Sequence, residues 1–374
     1  MSGVSVQLSL MKVPAPPPVI DAVQEVVVET AIDMAGAFSI RFGIGIDQLG
    51  DYGLLALDPF KPGFPIGIRI GAGTVPLPMA VMNGYATGQR ASWAEGGKST
   101  VTIHGTDITG MMNLEEKVKP WPSTPDSVIA LAIFGSYSVI PQVTPTPPRL
   151  IEPLGTTFQR GTDIRFLRRL ARRNGFDCYV LPEPFSGLDT GHFGGPTTVG
   201  MPQAVINVNM GSETNVSDLT VRYDMLKPTT ALAANLDTAT KAPQPAIAPL
   251  SLLPPMGLEP AGVRAIMGAG LASAVPLVRP VDPGNVLTTE GQAAAQAIVD
   301  RSSFAVTVEG TTGSDVGVLR PGGLVAVRGI GRLFNGLYQL TKVRQTLSEG
   351  QFEQRFTARR NAVTMTGAEP YLAI

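Results

Sequence analysis

"TFQRGTDIRFLRRLARRNGFDCYV", Thr157 to Val180, turns from a helical pattern to a strand pattern across one glycine, and its setting decides the fold. Thr162 or Asp163 can cap a helix on which Ile164, Phe166, Leu167, Leu170 and Ala171 recur at helical spacing, and Asn174 with Gly175 stops it. A strand is expected from Phe176 to Leu181. Arg165, Arg168, Arg169, Arg172 and Arg173 occupy much of the face opposite the apolar stripe, as on any solvated amphipathic helix. The late arginines also suit the negative end of the helix dipole. Five arginines raise the question of nucleic acid. A nucleic-acid reader adds aromatic stacking residues or further basic clusters, and the neighbourhood supplies neither, so the face reads as structural or as a protein interface.

On both sides of this stretch the pattern is β. Asp21 to Phe42 alternates β-branched and polar residues around a turn at Met34 to Ala37, the signature of a hairpin. "FKPGFPIGIRIG" (Phe60 to Gly71) leads from a Pro-Gly turn into an alternating strand, and Met79 to Asp107 gives two more strands. A first antiparallel barrel is therefore expected over 19–115, after an N-terminal arm at 1–18, and completed by strands from about 203–226. Residues 116–202 read as an inserted α/β domain, whose earlier helix can be capped by Ser123 or Thr124 and carries Val128, Ile129, Leu131, Ala132 and Ile133. Residues 203–374 read as a second barrel with a Pro/Ala-rich arm at about 242–280 and a helix at about 289–303. The expected class is mainly β with an α+β insertion: two related antiparallel β-barrels and a small α/β domain.

Composition agrees. Among 374 residues, 42 glycines and 33 prolines without a triplet period imply many turns between short strands. A formal net charge of -1 gives no global field that recruits nucleic acid or an anionic membrane. A charged fraction of only 16% suits a surface largely covered by neighbours. No stretch reaches the roughly twenty apolar residues of a membrane span, and the first residues lack the pattern of a secretory signal, so synthesis in the cytoplasm is expected.

Catalytic chemistry is poorly supplied. The single cysteine, Cys178, lies in the apolar context "GFDCYV" and reads as a buried small hydrophobe. His104 and His192 are too few for a zinc site, and no serine occupies a G-x-S-x-G elbow. The glycine pairs at Gly43 to Ile46, Gly71 to Gly73 and Gly329 to Gly331 read as turns, since none opens a helix within a βαβ unit. Glu115 with Glu116, or Asp51 with Asp58, form a glycosidase pair only if the fold brings them to the right separation. No catalytic residue, metal or cofactor is expected.

Three stretches in order resemble the VgrG-like and late control D-type hub proteins of contractile phage tails and contractile injection systems. "VVVETAIDMAGAFSIRF", "FKPGFPIGIRIG" and "VTIHGTDITGMM" are similar to that family's opening barrel with its "I-x-G-x-D" strand. "TFQRGTDIRFLRRLARRNGFDCYV" resembles its "Q-x-x-x-D-x-x-F-L-x-R-L-A" helix followed by a glycine and an aromatic-rich strand. "LRPGGLVAVRGIGRLFNGLYQLTKVRQTLSEGQFEQRFTARRN" resembles its closing "L-x-P-G", "V-x-G" and "F-x-x-R-R-N" elements.

The resemblance implies tail-tube-like barrels and a homotrimer in which two barrels per subunit make a pseudo-six-fold ring, adapting a hexameric inner tube to a trimeric spike. The implied partners are the inner tube protein, the spike protein and other baseplate proteins, with no specific nucleic-acid binding and no membrane insertion by this chain. The implied location is an assembled phage tail or injection-system particle. VgrG proteins continue beyond the hub, whereas this sequence stops soon after "TARRNAV", so the spike is expected to be a separate protein. Interface residues expected on this basis are Arg165, Arg168, Arg169, Arg172, Arg173, Arg332, Phe334 and Tyr338. A tail-associated cell-wall hydrolase and a nucleic-acid-binding module stand as alternatives.

Overall fold

The computed structural model describes residues 4–46, 50–56, 61–73, 77–94, 99–147, 156–236, 243–268, 277–281, 288–348, 350–367 and 369. The first body runs through β1 (Ser5–Leu10), β2 (Val13–Pro14), a short helix α1 (Pro17–Asp21), β3 (Val23–Ala31), β4 (Ala37–Gly43), β5 (Pro65–Gly71), β6 (Met79–Ser92) and β7 (Thr100–Asp107). Its strands pair antiparallel in the order β3-β4-β7-β6-β5-β1-β2. Alternate residues turn inward, Val26 and Val28, then Phe38, Ile40 and Phe42, then Ile66, Ile68 and Ile70, and they fill one core.

The arm expected at 1–18 is instead largely sheet: β1 pairs with β5 from Ser5 opposite Gly71 to Leu10 opposite Ile66. Val6, Leu8 and Leu10 alternate with polar residues, a strand pattern that the proline-rich run after it obscured.

The "I-x-G-x-D" strand has a physical explanation. The Phe38 ring lies over Gly84 on β6 and Gly105 on β7, where a Cβ at Gly105 would overlap the ring and stand 2.5 Å from the Tyr85 carbonyl oxygen. Asp107 ends the same strand, caps α2 (Ile108–Met111) through the Thr109 and Gly110 amides, and accepts from Gly36 N–H at 2.7 Å. Gly105→Ala is therefore expected to destabilise the chain by about 1–3 kcal/mol through overpacking, read as a lower urea midpoint, while Gly88→Ala, where a Cβ meets nothing within 4 Å, leaves it nearly unchanged.

The α/β insertion follows. β8 (Glu116–Pro122) pairs with β10 (Thr156–Thr162), and α3 (Asp126–Ser136) and α4 (Asp163–Asn174) pack with β9 (Ile140–Val143), β11 (Asp177–Pro182) and β12 (Asp189–Gly194), the last three forming a sheet in the order β11-β12-β9. Ile129, Phe134, Phe166, Leu167, Leu170 and Phe193 build a separate core. Cys178 lies in it, and burial pushes its thiol up to about 12. α4 ends at Gly175, whose φ of 72° is left-handed and whose missing side chain lets Ala297 approach.

The strands expected to complete the first barrel do something else. β13 (Ala204–Asn207) and β14 (Val216–Tyr223) belong to the second body, and a three-stranded sheet of β15 (Thr229–Leu236), β16 (Pro243–Ala248) and β18 (Leu277–Val281) follows. β17 (Glu259–Pro260) and α5 (Ala261–Gly268) lie between β16 and β18. The expected arm at 242–280 thus carries two strands, a short strand and a helix among its described residues, with 249–258 irregular between them. Its Ala246 and Ala248, with Ala231, pack against Ala295 and Val299 of α6 (Thr288–Ser302), so small residues replace the β-branched ones that would have marked strands.

β19 (Val306–Thr312), β20 (Leu324–Arg328), β21 (Gly336–Ser348), β22 (Gln351–Arg360) and β23 (Ala362–Val363) finish the chain. β14 pairs with β19, and β13 pairs in parallel with β20. The first half of β21 pairs with β20, whereas its second half, Lys342 to Ser348, pairs with β3 of the first barrel. A bulge between Leu340 and Lys342 on its β22 side marks the change. One strand therefore joins both barrels into a 13-stranded sheet, with Tyr338, Leu340 and Val343 in the second core and Leu347 against the first.

Candidate functional site

The helix motif is held from its own first residue. Gln159 Nε2 donates to Asp163 Oδ1 at 2.6 Å, and the other carboxylate oxygen accepts from Lys117 Nζ at 2.6 Å and the Tyr137 hydroxyl at 2.7 Å. Burial pushes the Asp163 carboxyl up, but these three donors outweigh it and leave it below the ordinary value. The glutamine and aspartate of the motif are thus hydrogen-bond partners that fix α4 to β8, β10 and the end of α3.

The five arginines of α4 do not form one face in function. Arg165 is exposed and lies 3.9 Å from Glu116, and exposed Arg169 donates to the Phe158 carbonyl at 2.8 Å. Arg173 donates through Nε at 2.7 Å, and through Nη2, to Asp126, a carboxylate 1% exposed that also accepts from Asn174 Nδ2. Arg168 and Arg172 border a cleft against the second barrel. Of the other expected interface residues, Arg332 is exposed and Phe334 half-buried. Tyr338 is fully buried, with its hydroxyl donating to the Phe334 carbonyl at 2.6 Å, so it is a core residue and not a surface contact.

The closing "R-R-N" of the sequence, residues 359–361, is where the bodies are joined. Arg359 donates to Asp177 Oδ2 of the insertion at 2.6 Å, stacks over Phe304, and donates through Nε to Gln339. Arg360, fully buried, turns to the other side of β22 and donates to the carbonyls of Met256, Phe334, Asn335 and Thr364. Gly336 makes room for it, since a Cβ there would stand 2.7 Å from Arg360 Nη2. Asn361 receives the Met256 N–H at 2.9 Å and donates to the Pro254 carbonyl at 3.0 Å. From the "L-x-P-G" element, Arg320 reaches the carbonyls of Ala80 in the first barrel and Pro182 in the insertion.

Between α4, α6 and the second barrel lies the cleft, of about 230 Å3, lined by Arg168, Arg172, Lys227, Arg301 and Arg359, with Asp33 and Asp177 as its carboxylates. Arg168 Nε and Nη2 are shielded from solvent and have no hydrogen-bond partner among the described residues. Burial holds the Arg168, Arg301 and Lys227 cations below their ordinary pKa values.

Among the described residues, the sequence's catalytic candidates do not converge. Asp51 bonds its neighbour's amide, Asp58 lies outside the described residues, and Glu115 pairs with Lys117 at 3.4 Å. His104 is exposed on β7, and His192 stacks on Tyr179 with ring centroids 4.8 Å apart. Among the described residues no group of three or more His, Cys, Asp or Glu is placed to hold a metal ion. Also among them, no helix is long and apolar enough to cross a membrane.

Asp189, on β12 beside the first barrel, is a carboxylate strongly altered by its surroundings. Burial pushes it up to about 6, the hydrogen bond from Asn83 Nδ2 at 3.0 Å opposes the shift, and Asp107 adds to it. A folded-state pKa above the unfolded 3.8 means that the group's stabilisation is complete below pH 4 and is lost as pH rises through 6. Asp189→Asn should remove about 2–3 kcal/mol of that pH dependence and leave a flatter stability profile between pH 4 and 7 in urea titrations. An unchanged profile would mean that Asp189 titrates normally.

No protein-family model matches the sequence, and no curated protein matches it. Solved structures do. The tail protein from Neisseria meningitidis MC58 superposes with a TM-score of 0.64 at 14% identity, over 98% of this chain and 100% of that one. The 43 kDa tail protein of prophage MuSo2 from Shewanella oneidensis gives 0.61 at 13% identity, over 96% and 99%. The E. coli c3393 protein, a component of the type VI secretion system described as similar to the T4 bacteriophage tail proteins gp27 and gp5, gives 0.58 at 12% identity, over 98% and 79%. The chain has the fold of these tail proteins, mainly β with large antiparallel sheets and a few helices.

Proposed function

We propose that this chain is the central hub of a contractile tail or injection-system baseplate, a homotrimer joining a hexameric inner tube to a trimeric spike within the assembled particle. The observation that carries the reading is the near end-to-end superposition on tail proteins, 98% of this chain on 100% of one of them. Two barrels joined by one strand give three subunits six similar β bodies, the number a hexameric tube requires. In this reading 116–202 projects from the ring as the inserted domain, and the role is mechanical rather than catalytic.

Surfaces suited to neighbours lie on the insertion. Val118 is 82% exposed on β8 and Phe158 on β10 is exposed near it, with Arg165 and Arg169 on α4 and Arg332 on the second barrel as polar contacts. The test is the solution mass by light scattering, followed by mixing with candidate inner tube and spike proteins. A trimer that retains both supports the hub. A monomer at high concentration that retains neither overturns it, and release of fragments from purified peptidoglycan would favour the hydrolase instead.

A further inference from the structure

We infer that the cleft between α4, α6 and the second barrel is a binding site for a small phosphate-class oxyanion. The inference is independent of the hub reading, because it rests on the charge and hydrogen-bonding of one subunit. Five cations converge there, and only two carboxylates face them. One of the two, Asp177, already accepts from Arg359 at 2.6 Å. Among the described residues Arg301 reaches only the Phe176 carbonyl, at 3.5 Å. Arg168 leaves Nε and Nη2, two N–H donors on one edge of its guanidinium, buried without an acceptor among the described residues.

Leaving charged donors dry and unpaired is among the costlier things a fold can do. It is relieved by an acceptor that carries negative charge and several oxygens, which is what a phosphate or pyrophosphate presents to a guanidinium edge. A carboxylate offers only two oxygens and one charge, too few for four cations not already paired with Asp177. The cleft's volume of about 230 Å3 admits a small polyatomic anion. Thr307 and Thr341 also line the wall, the Thr341 hydroxyl donating to the Thr357 carbonyl at 3.1 Å. Burial depresses the pKa values of Arg168, Arg301 and Lys227, against the opposing pull of nearby carboxylates such as Asp33, Asp177 and Asp224.

The experiment follows thermal unfolding of the full chain with pyrophosphate, against sodium chloride at equal ionic strength. The expected result is a saturable rise in Tm with pyrophosphate that chloride does not reproduce. Arg168→Gln should weaken the apparent affinity about tenfold or more, whereas Arg165→Gln, on the same helix but outside the cleft, should leave it unchanged. If Arg168→Gln does not fold, exposed Arg172 provides the second variant, and Arg172→Gln should weaken the affinity several-fold. Equal effects of pyrophosphate and chloride, or an Arg165→Gln loss as large as that of the cleft variant, would overturn the site.

Discussion

Replacing Arg360 with methionine is expected to destabilise the chain by about 3–5 kcal/mol, the largest effect of any single polar substitution considered. The side chain is fully buried, and its partners are backbone carbonyls. Met256 O accepts from Nε at 3.0 Å and from Nη2 at 2.8 Å, and Asn335 O accepts from Nη1 at 2.7 Å. Methionine fills much of the volume but leaves these oxygens buried and unsatisfied, each at about 1–3 kcal/mol. Lysine is expected to recover little, because one ammonium cannot span carbonyls that a planar fork reaches from both ends. Urea unfolding measures it through the midpoint. An Arg360→Met midpoint close to that of the parent would show that the carbonyls find other donors.

The second large effect falls on the insertion. Asp126 is 1% exposed and collects two donors from Arg173 and one from Asn174, binding the start of α3 to the end of α4. Asp126→Ala is expected to cost about 3 kcal/mol, since it leaves a partly buried guanidinium without its counter-charge. Arg173→Ala strands the more deeply buried Asp126 carboxylate and should cost at least as much, and the double variant should cost clearly less than the sum, with a coupling of about 2 kcal/mol. Amide exchange should locate the loss: protection falls in α3 and α4 while β4 and β7 hold theirs. Strict additivity of the two substitutions would show that the pair does not act as a unit.

Local periodicity carried much of the fold. α4 spans Asp163–Asn174, legible because its apolar stripe and stop glycine lie within the segment, although the Thr162 side chain donates to Asn113 instead of capping it. What could not be read was pairing over distance. Arg359 and Arg360 are adjacent on a strand and so point to opposite faces, one toward a carboxylate 182 residues away and the other toward a carbonyl 104 residues away. Nothing in "TARRN" distinguishes these partners from solvent. Tyr338, an interface candidate on the hub resemblance, lies in the core for a related reason: the turn before β21 supplies the acceptor for its hydroxyl. The arginines of α4 looked alike because a helical wheel shows direction from one axis only. Their fates separated once Asp126, the Phe158 carbonyl and the second barrel stood beside them.

The sharing of β21 between the barrels also sets an order of events during synthesis. β3 is complete at Ala31, but the strand that covers its free side begins that pairing only at Lys342. At ribosomal speeds the interval is roughly 15–60 s. Throughout it the nascent first barrel presents an unpaired strand edge with Val26 and Val28 beside it, the kind of edge that recruits other chains. Both barrels therefore reach their final state together and late, and a chain interrupted before β21 is released with that edge open.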